Sequence, residues 1–164
     1  MSTQRIPISH AVLLAAFTLV FLATPAASEE RKIKRSDLPA AVQAAVTAQS
    51  KGSTVRGFAE ERENGQTYYE AELEVSGHSK DVLMDPQGNV VEVEEEVAMD
   101  ALPSAVREGL QTKAAGGKLV KVESLTKQGK LVAYEAQVIT KGKKSEIQVG
   151  PDGKPLTGSQ GAAR

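Results

Sequence analysis

Apolar residues recur at helical spacing in two stretches of the chain and alternate with polar residues over most of the rest. Leu38, Val42, Ala45, Val46 and Gln49 form one stripe, which Pro39 opens and Gly52 ends. Leu102, Val106 and Leu110 form a second, stopped by Gly116-Gly117. Ser36 or Asp37 stands where the first helix needs a cap, and Asp100 where the second does. Strict alternation predicts strands. Tyr69, Ala71, Leu73 and Val75 oppose Tyr68, Glu70, Glu72 and Glu74. Val91, Val93 and Val97 oppose Glu92, Glu94 and Glu96, and Tyr134, Ala136 and Val138 oppose Glu135, Gln137 and Ile139. Turn signals divide these runs. Asn64-Gly65, Ser76-Gly77, Gln128-Gly129 and Lys141-Gly142 are two-residue hairpin loops. Asp85-Pro86-Gln87-Gly88 and Gly150-Pro151-Asp152-Gly153 are turns with Pro at the second position.

The pattern occurs twice. Leu38-Pro39-Ala40-Ala41-Val42 matches Leu102-Pro103-Ser104-Ala105-Val106, and Gly52 and Gly65 match Gly116 and Gly129. After one inserted residue, Tyr69-Glu70-Ala71 falls on Tyr134-Glu135-Ala136, and the Asp85 turn on the Gly150 turn. Each copy reads as a helix followed by four antiparallel strands. The expected class is α+β, with copies at 36–100 and 101–156. The two sheets can join into one continuous sheet with both helices on one face, which would bury both stripes in one core.

The order of these motifs resembles the PepSY-like, β-lactamase-inhibitor-like domains of exported bacterial proteins. The residues that carry the likeness are Leu38 to Val42, Tyr68-Tyr69-Glu70 with Leu73, and Asp85 to Val90, then Leu102 to Val106, Tyr134-Glu135 with Val138, and Gly150 to Leu156. The second copy departs from the pattern, with Gly150 in place of Asp and Pro155 where a valine would open the last strand. The resemblance implies a binding module. PepSY domains occur in propeptides of secreted peptidases, and β-lactamase inhibitor proteins bind through a concave sheet.

Residues 1–28 read as a signal peptide. Arg5 supplies the positive start, Ala11 to Ala23 the apolar core, and Ala26-Ala27-Ser28 the cleavage region. The expected address is therefore exported, periplasmic or extracellular, with no membrane anchor after cleavage. Residues 29–35 read as a flexible leader and 157–164 as a disordered tail. The chain has no Cys, which removes disulfides, thiol catalysis and thiolate metal sites.

Charge changes the picture most. The net charge of −1 argues against nucleic-acid binding. Yet residues 29–100 hold 16 acidic and 8 basic side chains, a net −8, while 101–164 hold 5 and 11, a net +6. Glu70, Glu72 and Glu74 share one face of a strand with Tyr68, an aromatic suited to anchoring a partner. Lys141, Lys143 and Lys144 crowd a turn beside Ile139. These eight residues are the candidate partner-binding set. No nucleophile, acid/base pair, phosphate loop, cofactor motif or metal-ligand spacing is evident, and His78 lies alone beside a turn. The expected function is a non-enzymatic binding module, an inhibitor or regulator of a secreted or envelope peptidase or other hydrolase. The alternative is a structural or sensory envelope protein that binds cations on the acidic face or self-associates through its oppositely charged halves.

Overall fold

A computed structural model describes residues 29–156. The expected signal peptide and tail lie outside them. The order of elements is β1 (Glu29–Lys32), a 3-10 turn (Arg35–Asp37), α1 (Ala40–Gln49), β2 (Thr54–Glu63), β3 (Gln66–Val75), β4 (His78–Met84), β5 (Val90–Glu96), α2 (Ser104–Ala114), β6 (Lys118–Lys127), β7 (Lys130–Thr140) and β8 (Lys143–Val149).

The strands form one antiparallel sheet in chain order, β1 to β8. This corrects the reading of two helix-plus-four-strand repeats. Five backbone pairings, Glu92↔Lys127 to Glu96↔Glu123, tie β5 to β6 and erase the boundary between copies. The second copy contributes three strands, not four. Its expected last strand is a turn that ends with the Gly150 amide donating to the Lys154 carbonyl, 2.7 Å away. The segment expected as a flexible leader is also corrected. It supplies β1, which pairs with β2 from Glu29↔Arg62 to Lys32↔Ala59. A ten-residue β2 would otherwise expose a full row of backbone groups, and a short charged strand covers that edge.

Both helices cover the same face. Val42 and Val46 of α1 pack with Leu38, Phe58, Ala71, Leu73, Val82 and Met84. Val106 and Leu110 of α2 pack with Leu102, Val122, Ala136 and Val149. The register Ala71↔Val82↔Val93 carries this apolar face across the sheet centre. The helices start without the expected caps. Pro39 and Pro103 occupy the cap positions, and no side chain caps either helix. Instead Gln43 Nε2 donates to the Leu38 carbonyl at 2.9 Å, and Arg107 donates to the equivalent Leu102 carbonyl at 3.2 Å. The four hairpin loops adopt positive φ at both central residues, as at Asn64 (51°) and Gly65 (78°), matching the twist of their strands.

Four register shifts interrupt the ladders, at Val55/Gly57, Leu83/Met84, Leu119/Lys121 and Leu125/Thr126. Each bulge sharpens local twist and bends the sheet. Together they curl its polar face inward.

Candidate functional site

The face away from the helices is built from cross-strand rows of acids. One row runs Glu72↔Asp81↔Glu94↔Leu125↔Ala133. The next runs Glu74↔Ser79 and, on β5 to β8, Glu96↔Glu123↔Glu135↔Gln148. A third joins Glu30, Glu61 and Tyr68. In a flat sheet eight strands span roughly 34 Å. Here one cavity of about 330 Å³ is lined from every strand: Glu30, Glu61, Glu70, Asp81, Glu94, Lys121, Glu123, Glu135, Gln137 and Glu146. The polar face is therefore a concave trough, with eight carboxylates and a single lysine on its wall.

Concavity explains an unusual burial pattern. Glu61, Glu123 and Glu135 are only 5–8 % exposed, although both helices among the described residues lie on the other face of the sheet. Neighbours on the same curled face shield them. Lys121 Nζ lies 2.6 Å from Glu123 Oε1, and Ser79 Oγ donates to the same carboxylate at 3.4 Å. The Ser79 amide donates to Glu96 at 3.0 Å and holds the Glu96 carboxyl below its ordinary range. Asp81 goes the other way. Burial raises it to about 6, Lys121 opposes that rise, and Glu123 and Glu72 add to it. The Lys121 ammonium is raised overall, because its carboxylate neighbours outweigh the burial that opposes them. Asp81, Glu94 and Glu123 each place an oxygen within 4.8 Å of the other two, close enough for a divalent cation to bridge them. Beside this group, Gln148 Nε2 donates to Glu135 Oε2 at 2.5 Å, while the side-chain Oε1 of Gln148 is buried with no hydrogen-bond partner and its backbone carbonyl accepts from Lys113 at 2.9 Å.

A second hollow adjoins the trough at the end of the sheet marked by Asn64-Gly65. Tyr68 and Val91 line two confluent cavities. One, of about 640 Å³, adds Lys127, Gln128, Lys130 and Val132. The other, of about 410 Å³, adds Gln66, Thr67, Asp85, Pro86 and Gln87. Val91 and Val132 are the extra residues of two bulges. The alternation that places Val91 with the core side chains fails for this reason.

The predicted surface residues are thus divided. Tyr68, Glu70, Glu72 and Glu74 share β3 and the polar face, as the alternation requires. Lys32 of β1 engages Glu72, and Arg56 engages Glu74. Ile139 and Lys144 pair with each other on the same face, and Lys141 and Lys143 flank the β7–β8 hairpin. This group sits at the opposite strand ends from Tyr68, where Lys144 lines a separate hollow with Gln137, Ser145 and Glu146, and none of the four lines the cavities at Tyr68. It does not join Tyr68 in one patch. What the sequence reading missed is the contribution of Glu30, Glu61, Asp81, Glu123, Glu135 and Glu146. An acid at an outward position of each strand is the signal that would have found them.

No family model and no curated protein matches the chain. Solved structures do resemble it. A presumed periplasmic protein from Bacteroides eggerthii superposes with a TM-score of 0.59 at 22% identity, covering 73% of this chain and 86% of its own. A DUF2874 family protein from Bacteroides uniformis gives 0.57 at 25% identity, with the same coverage. A BLIP-like protein from Bacteroides fragilis gives 0.53 at 22% identity, covering 73% and 84%. The fold is BLIP-like; these likenesses do not reach the PepSY resemblance. No helix among the described residues is long and apolar enough to cross a membrane.

Proposed function

We propose that the chain is an exported, non-enzymatic binding module whose concave sheet face receives a basic segment of a partner protein. The observation that carries this reading is the trough itself: one cavity reached by all eight strands, with eight carboxylates and one lysine on its wall. Cations entering a curved, partly water-excluded acidic surface are drawn more strongly than by the same charges on a flat, exposed one. The BLIP-like neighbour and the PepSY resemblance support an exported peptidase or other hydrolase as the partner class.

The test uses the purified protein as bait against an extract of exported proteins, followed by hydrolase assays on what is retained. Retention of a hydrolase that the protein slows, lost in the double variant Asp81→Asn, Glu94→Gln, is the expected result. Retention unaffected by that variant, or of the protein alone, overturns the trough assignment. Binding through the trough also weakens as salt rises, because screening acts on its charges.

A further inference from the structure

We infer that the partner segment is bipartite: basic residues for the trough, and, about four residues away, one bulky apolar side chain for the hollow at Tyr68. The inference rests on the trough reading and specifies its ligand. The hollow and the trough meet on β3, where Tyr68 lines one and Glu70 the other. Tyr68, Val91, Val132 and Pro86 give the hollow an apolar patch open to solvent, rimmed by polar and charged side chains. The Tyr68 hydroxyl is turned onto Gln66 Oε1 at 2.5 Å, which leaves the ring as the contact surface.

Charge sets the register. Lys127 and Lys130 stand on the wall of the hollow, and Lys127 Nζ is held by Glu92 at 2.9 Å. With Lys127 paired to Glu92, the Lys130 ammonium stands against the one carboxylate of Asp85, so this end offers a cation no net attraction and the cationic part of a segment lies toward Asp81 and Glu94. Along β3 the distance from Tyr68 to Glu72, the residue opposite Asp81, is four residues, or about 13 Å. An extended ligand covers that span in about four residues of its own. A segment that is basic throughout, or apolar throughout, satisfies only half of the surface.

The experiment titrates the purified protein with acetylated, amidated peptides at low salt. The probes are Lys-Lys-Ser-Ser-Ser-Phe, its reverse sequence, and the same pair with Ser for Phe. The expected result is that Phe improves affinity by about tenfold in one chain direction, the range for burying a large apolar side chain. The Tyr68→Ala variant should lose that gain and retain binding of the Ser peptides. Lys130→Glu, an exposed change that should spare folding, should raise affinity for a Phe peptide extended by Lys on its anchor side. Equal affinity for Phe and Ser peptides, both weakened by Asp81→Asn with Glu94→Gln, overturns the anchor and leaves the trough reading intact. No binding of any of the four peptides overturns both.

Discussion

Asp81→Asn should stabilise the protein at neutral pH and leave it unchanged in mild acid. Asp81 lies between Glu72 and Glu94 in the register, with Glu123 nearby and Lys121 and Lys32 as the cations that act on it. Burial raises its carboxyl from 3.8 to about 6. The folded chain therefore holds this proton more tightly than the unfolded chain. Stability from this group is present at low pH, falls as pH rises between about 4 and 6, and stays lower above that window. At 1.36 kcal/mol per unit the full shift corresponds to about 3 kcal/mol. Solvent at the trough mouth screens it, so about 1–2 kcal/mol is expected. Urea unfolding of both proteins at about pH 4 and pH 7.5 measures the difference. Asn is uncharged throughout, so the variant should match the wild type at the lower pH and exceed it at the higher. Glu96, Asp85 and Asp152 are all held low by hydrogen bonds, and their stabilisation is lost as pH falls. They are common to both proteins and cancel in the difference. A pH-independent difference, or a less stable variant at neutral pH, would refute the assignment of an unfavourable charge to Asp81.

Three further outcomes follow from the packing and the trough. Gly153→Ala should destabilise strongly, by about 3–5 kcal/mol, since φ is +77° and a Cβ would lie 2.0 Å from the Ala105 carbonyl oxygen of α2. Gly52→Ala is the control, with a similar φ and nothing within 4 Å, and should cost only about 1 kcal/mol by the same unfolding assay. Leu110→Ala, at a fully buried α2 position, should cost about 2–5 kcal/mol and shift the thermal midpoint down. Raising salt should stabilise the wild type more than the Asp81→Asn, Glu94→Gln variant, because screening relieves repulsion among the trough carboxylates; equal salt responses in thermal melts would contradict that.

Local signals in the sequence carried the elements, and non-local ones decided their assembly. Asn64-Gly65 and its three counterparts specify hairpins because positive φ at two adjacent residues is a property of those residues alone. The stripe from Leu38 to Val46 likewise identifies its own buried side. By contrast, Glu29 to Lys32 is too short and charged to look like a strand, and becomes one because β2 presents an unpaired edge. The curling of the sheet depends on bulges at positions such as Val91 and Val132, where strand lengths on either side fail to match. No single segment encodes that mismatch.

The same non-locality hid the trough. Charged side chains are expected in water, so the acids of β3 and β5 read as a solvated face. Pairing β5 to β6 brings Glu123 and Lys121 beside them, and curvature buries Glu61, Glu123 and Glu135. A face kept only for solubility gains nothing from enclosing carboxylates against one another. Asp81 illustrates the cost: at neutral pH its environment disfavours the ionised form that its sequence neighbours suggest. A cation placed beside Asp81 offsets the burial that disfavours its ionised form, and that gain adds to the ligand's affinity. Asp81→Asn should therefore raise stability and lower affinity for a basic peptide together at neutral pH. A variant that gained stability and kept full peptide affinity would separate the two and place the binding surface elsewhere on the sheet.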